Sequence, residues 1–119
     1  MAAAWDEDLA LAWSVDDFRR SLTRLADASV DAYCSDLGAF AEWCARLGLG
    51  GPEAVDRTAL RRYVAFLTTR GLARRTIARH VSSLRRYFDW LRRRGVIEID
   101  PTARLTAPGA DGRLPRVLR

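Results

Sequence analysis

The 119-residue chain has no lysine, no asparagine and no glutamine, and it carries one histidine, one methionine, two cysteines and four prolines. Each scarcity removes a class of chemistry. His80 stands far in sequence from Cys34 and Cys44, so no metal-ligand spacing exists. The two cysteines fall in one helical segment, where ten residues of rise hold them about 15 Å apart; they cannot form a disulfide and read as buried, unreactive thiols. No apolar run reaches the roughly 18 to 20 residues of a membrane span. Asp6, Glu7 and Asp8 stand where a signal peptide would be positive. The expectation is a cytoplasmic protein with no membrane partner. There is no GxxxxGK[ST], GxGxxG or HExxH motif, and no cofactor is implied. No sustained alternation with β-branched residues marks a sheet.

What is present is arginine, and its placement says more than its amount. Through Asp56 four arginines meet eleven acids, a balance of −7; from Arg57 onward sixteen meet four, a balance of +12, and the whole chain carries +5. GC-rich coding alone enriches arginine, so only the segregation carries weight. It points to an anionic polymer or surface as partner. With 49% apolar and 29% charged residues the chain has the composition of one globular domain.

The helices announce themselves by spacing. Residues 1–13 lack a clear period and are expected to form a flexible arm. Ser14 and Asp17 resemble a capping box, and Val15, Phe18, Leu22 and Leu25 step at helical spacing to about Ala26. A second helix runs from Asp27 or Ser29 to Leu47 through Val30, Tyr33, Leu37, Phe40 and Cys44, with Gly48 as its stop. Asp56 or Thr58 caps a third, with Leu60, Tyr63, Val64 and Leu67 inward and Gly71 at its end. The fourth spans about Arg74 to Arg94, with Gly95 as stop. The expected fold is an all-α, four-helix bundle over residues 14–101, followed from residue 102 to 119 by a flexible linker rich in proline and glycine, with one short turn near Thr102 to Leu105.

The fourth helix, inside LARRTIARHVSSLRRYFDWLRRRG, separates into two faces when each residue advances about 100°. Ile77, Val81, Leu84, Phe88 and Leu91 form the core side; Arg75, Arg79, Ser82, Arg86 and Arg93 cluster opposite. Such a face can enter a DNA major groove, where guanidinium groups bond phosphates or grip guanine O6 and N7. Ser82 and Ser83 are short enough for close approach, and Arg74 at the helix start completes the candidate set. A merely solvated arginine face stays open on the pattern alone. No catalytic constellation emerges: the early acids sit where helix starts attract negative charge, His80 lies about 60° from the core stripe as a packed or interfacial residue, and Tyr33, Tyr63 and Tyr87 have no neighbouring activator. A helical protein-interaction module would instead use Trp43 and Trp90 as exposed aromatics.

Three segments carry a resemblance. Ser29 to Trp43, SVDAYCSDLGAFAEW, resembles the S/T-x-x-x-Y-x-x-D-L-x-x-F-x-x-W helix of tyrosine recombinases of the XerC/XerD type. GLARRTIARHVSSLRRYFDWL resembles that family's T-I-x-R-x-L-S-A-L-R-x-F-x-x-Y-L helix, and DPTARLTAP with RLPRVL is similar to its D-P-x-x-x-L-x-x-P…LP-x-x-L exit. The resemblance runs from about Val15 to Arg119. It implies a SAM-like core-binding domain that clamps duplex DNA, pairs with other recombinase subunits in a synaptic complex, and depends on a separate C-terminal domain for the nucleophilic tyrosine. It leaves open whether the parent enzyme resolves chromosome dimers or integrates mobile DNA. By motif, Arg75, Arg79, Ser83 and Arg86 would meet DNA from the fourth helix, and Ala32, Ser35 and Ala39 from the second. Asp31 and Glu42 depart from a phosphate-facing surface and shift the weight to the fourth helix.

Overall fold

The computed structural model describes residues 5–108. Five α-helices run through them: α1 Glu7–Trp13, α2 Val15–Ser21, α3 Asp27–Arg46, α4 Arg57–Thr69 and α5 Arg74–Arg93, with a 3-10 turn at Pro52–Ala54. No strand occurs among the described residues. The fold is all-α, and the four expected helices are α2 to α5.

The added helix is α1, which replaces most of the expected arm. Asp6 caps it by accepting a hydrogen bond from the Leu9 N–H at 3.1 Å, and Glu7 and Asp8 sit in its first turn, at the positive end of the helix dipole. Trp13 at its end is 0% exposed, packed edge-on to Phe40 and tilted against Tyr87. Just before it, the Trp5 indole donates to the Cys34 carbonyl at 3.2 Å and covers Gly38, where a Cβ would stand 3.2 Å from the ring. A seven-residue helix places too few side chains to show a period. Its anchoring depends on tertiary partners that spacing does not reveal.

Ser14 does not close the expected capping box. It is the joint between α1 and α2, in left-handed backbone at φ 54, and its side chain makes no cap hydrogen bond. Asp17 pairs with Arg20 instead. The helix α2 also stops earlier than spacing suggested, at Ser21, whose hydroxyl donates to the Phe18 carbonyl. Farther on, Asp56 caps α4 through the Ala59 N–H at 2.8 Å. Gly71 and Gly95 stop α4 and α5 at φ 79 and 80, a backbone that glycine enters without strain.

The core is aromatic. Phe18, Phe40, Tyr63, Tyr87 and Phe88 are buried with Trp13, in edge-to-face pairs such as Phe40 with Tyr63 at 4.8 Å and Phe18 with Tyr87 at 5.2 Å. The Tyr87 hydroxyl finds its partner inside by donating to the Trp13 carbonyl at 2.6 Å. Packing continues past Pro101: Asp100 accepts from the Thr102 N–H and hydroxyl at 2.8 and 2.7 Å, and Thr102 and Leu105 are buried. Residues 102–105 therefore belong to the packed body rather than to a loose linker. Residues 1–4 and 109–119, including most of the expected arm tip and linker, lie outside the described residues.

Replacing Trp13 with alanine should cost about 3 to 5 kcal/mol of unfolding free energy in urea titration, the range for a fully buried large aromatic. A loss near zero would return residues 7–13 to the status of an arm.

Candidate nucleic-acid interface

The helix α5 buries its expected stripe, Ile77, Val81, Leu84, Phe88 and Leu91, and with it His80, Ser83, Tyr87 and Trp90. It packs on both α3 and α4, so about half its circumference is covered rather than one narrow stripe. The remaining half is mostly arginine, with Ala78 and Ser82 between. Each arginine is handled differently, and the differences decide what the surface can do.

Arg79 meets an acid of the first half of the chain. Its Nε donates to Asp36 Oδ2 at 2.9 Å and its Nη2 donates to Oδ1 at 2.8 Å, a two-pronged pair from α5 to α3. Asp36 is 3% exposed, while the Arg79 side chain keeps 50% of its surface in solvent. The Ser83 hydroxyl donates to Asp36 Oδ2 at 2.7 Å, and Ser83 is 0% exposed. Ser83 is thus a support inside the helix pair and not a surface that DNA can touch, which corrects its placement among the exposed contacts. The reason is angular: Ser83 lies at the rim of the apolar arc, where α3 covers it.

The other candidates stay outside. Arg74, Arg75, Ser82, Arg86 and Arg93 are exposed. Arg86 lies over the Tyr33 ring at 5.6 Å, an attraction that leaves its N–H donors free. Arg93 is tied with Arg92 to Asp89 at 3.0 and 2.9 Å. Arg74 and Arg75 form no ion pair among the described residues. On α3, Ala32, Ser35 and Ala39 are half-buried. Asp31, read as hostile to phosphate, is paired with Arg19 at 2.9 Å, whereas Glu42 is exposed. The cationic surface is therefore strongest from Arg74 to Arg86 and weakens toward Asp89.

Asp36 is the residue that spacing missed. A signal existed: Asp36, Phe40 and Trp43 stand at i, i+4 and i+7, one helix face, and both aromatics are buried. An acid on the same face as two buried rings needs a cation, and α5 supplies it. The aromatics offered for a protein-interaction surface are not available either, since Trp43 and Trp90 are each 8% exposed.

Protonation follows the same geometry. The hydrogen bond to Asp36 raises the Arg79 pKa above its ordinary value, so its charge is permanent. His80 stands with Nε2 3.5 Å from Asp36 Oδ1, yet burial lowers its pKa, Asp36 opposes that and Arg79 adds to it. The lowered direction governs, because burial is the largest of the three effects. His80 is a neutral imidazole, with a buried Nδ1 that has no hydrogen-bond partner. Burial likewise pushes the Cys44 thiol up to about 12 and raises Cys34, so neither is a nucleophile. Among the described residues no group of three His, Cys, Asp or Glu could hold a metal ion, and no helix is long and apolar enough to cross a membrane.

The helical body is a SAM-like module. The chain belongs to the family described as phage integrase, N-terminal SAM-like domain, whose model matches residues 15–95. It is similar to the tyrosine recombinase XerC of Xylella fastidiosa, 38% identical over 107 residues that cover 87% of this chain and 36% of that protein. The tyrosine recombinase XerC of Azotobacter vinelandii is 36% identical over 102 residues, 86% of this chain and 34% of that protein. That of Xanthomonas campestris pv. campestris is 37% identical over 90 residues, 76% and 28% respectively. The chain spans about a third of the length of these curated relatives. No solved structure matches it.

A histidine whose folded pKa is lowered contributes stability that is fully present above the unfolded value of about 6.5 and is lost as pH falls below it. The difference in thermal stability between wild type and His80→Gln should therefore shift against the wild type between pH 7 and pH 5. A difference that stays constant across that range would show that His80 does not titrate on unfolding.

Proposed function

We propose that this domain binds duplex DNA as the core-binding part of a Xer-like site-specific tyrosine recombinase, clamping the recombination site and helping subunits pair in a synaptic complex in the cytoplasm. One observation supports this reading above the others. Arg75, Arg86 and the solvent half of Arg79 share one side of α5, within about 40° of each other, along about 16 Å of rise. At 3.4 Å per base along a strand, that length matches roughly five base pairs. Arg74 stands at the start of the same helix, about 100° round from Arg75, and the half-buried small residues Ala32, Ser35 and Ala39 on α3 leave room for a backbone to come near.

Strand cleavage would belong to another domain of the parent recombinase. Tyr63 and Tyr87 are buried with their pKa values raised by burial, which makes them poor nucleophiles; Tyr33 lies under Arg86. The rival reading, a protein-interaction module built on Trp43 and Trp90, loses its exposed aromatics to the core.

If the three arginines without an acid partner, Arg74, Arg75 and Arg86, contact phosphate, log K against log salt should fall with a slope near −3, measured by fluorescence anisotropy on a labelled duplex. Arg75→Ala should flatten that slope by about 1, and Arg57→Ala, on α4, should leave it unchanged. Binding insensitive to salt, or equally sensitive to both substitutions, would overturn the assignment of the surface.

A further inference from the structure

Arg79 lies between Arg75 and Arg86 along the helix and is the one of the three tied to an acid. Two of its five N–H donors, Nε and one on Nη2, are committed to Asp36. Asp36 is in turn held by the Ser83 hydroxyl, whose single proton goes to the nearer acceptor, Oδ2 at 2.7 Å, rather than to the Arg79 carbonyl at 3.0 Å. A guanidinium is planar, so fixing the edge between Nε and Nη2 also fixes the opposite edge between Nη1 and Nη2. That edge points away from a carboxylate that is nearly inaccessible, on a side chain that is half exposed. It presents two parallel N–H donors to solvent.

We propose that Asp36 and Ser83 are positioning residues that turn Arg79 into a reader of guanine, with its outer edge donating to O6 and N7 in the major groove. The proposal rests on the DNA-binding reading of this surface and gives it a site of base discrimination. Two physical consequences separate Arg79 from Arg74, Arg75 and Arg86. Its orientation is set before DNA arrives, so little rotational freedom is lost on binding. Its charge is largely offset by Asp36, so it draws phosphates weakly and contributes little to counterion release. The unpaired arginines supply salt-sensitive affinity, and the buttressed one supplies choice of sequence.

The two contributions come apart in one experiment. The 119-residue chain is used to select from a pool of duplexes with a randomised core, and affinities are then measured on the selected site and on its single-base variants. Wild type should prefer guanine at one position by roughly 5- to 150-fold, the span of a good bidentate contact. Asp36→Asn should reduce that preference to near unity while affinity for random duplex holds or rises, and should steepen the salt slope by about 1, because the charge of Arg79 is no longer offset. Loss of a purely structural residue would lower all binding together. Arg79→Lys should lose the same base preference without steepening the slope. Should Asp36→Asn fail to fold, Ser83→Ala removes a single hydrogen bond and should weaken discrimination at that position alone. A guanine preference that survives Asp36→Asn or Arg79→Lys overturns the buttress. Duplex binding with no base preference overturns it while leaving the DNA-binding surface intact; absence of binding to any duplex overturns both.

Discussion

The helix α5 must bury half its circumference in an aromatic core while carrying arginine at seven of its twenty positions. That conflict shapes the molecule. A guanidinium forced under a neighbouring helix would cost several kcal/mol without a partner, and several arginines beside the buried face are matched to something: Arg79 to a buried carboxylate, Arg85 to the Leu105 carbonyl, and Arg94, just past the helix, to the Trp90 ring at 4.7 Å. Arg75, farther from the arc, stands without an ion pair among the described residues. The helix thus grades from held to free cations within a single turn, and any binding chemistry inherits that gradation.

The pair between Asp36 and Arg79 also fixes how α3 lies on α5. A buried carboxylate that loses its cation is destabilising by roughly 3 to 5 kcal/mol, so a slip of one helix past the other is strongly opposed even where aliphatic contacts would tolerate it. This register brings Ala32, Ser35 and Ala39 to the half-buried margin of α3 rather than into the core. The segregation of charge along the chain becomes spatial by the same means. Acids that would repel a polyanion are taken up by arginines, Asp31 by Arg19 and Asp17 by Arg20 and Arg94.

Much of this is legible in spacing. The long helices α3 and α5 repeat their apolar positions often enough that period and stop signals agree to within a residue or two, with Gly48 and Gly95 just past their ends. Short elements escape for a physical reason: α1 buries Trp13 fully and only half-buries Leu9 and Ala10 against the core, too few positions to show a period. The width of the buried arc escapes as well, since a wheel locates the centre of an apolar face but not how much of the flank two neighbours will cover. Ser83 and His80 fall in that flank. Arg79 is read correctly as facing outward and incompletely as free, because its partner lies 43 residues earlier on another helix.

The packed residues beyond α5 bear on how the arginine surface can be used. Leu105 is buried, and its carbonyl accepts from Arg85, which points about 90° around α5 from Arg75 and Arg86. Through this anchor the chain is drawn along the α4 side of the body, where Arg61, Val64 and Thr68 line a hollow with Arg104 and Leu105. The segment after the last long helix is therefore led away from the cationic face instead of across it. A domain that bound through that face would keep it uncovered by the residues up to 108, which the buried Leu105 and the hollow along α4 hold to another side.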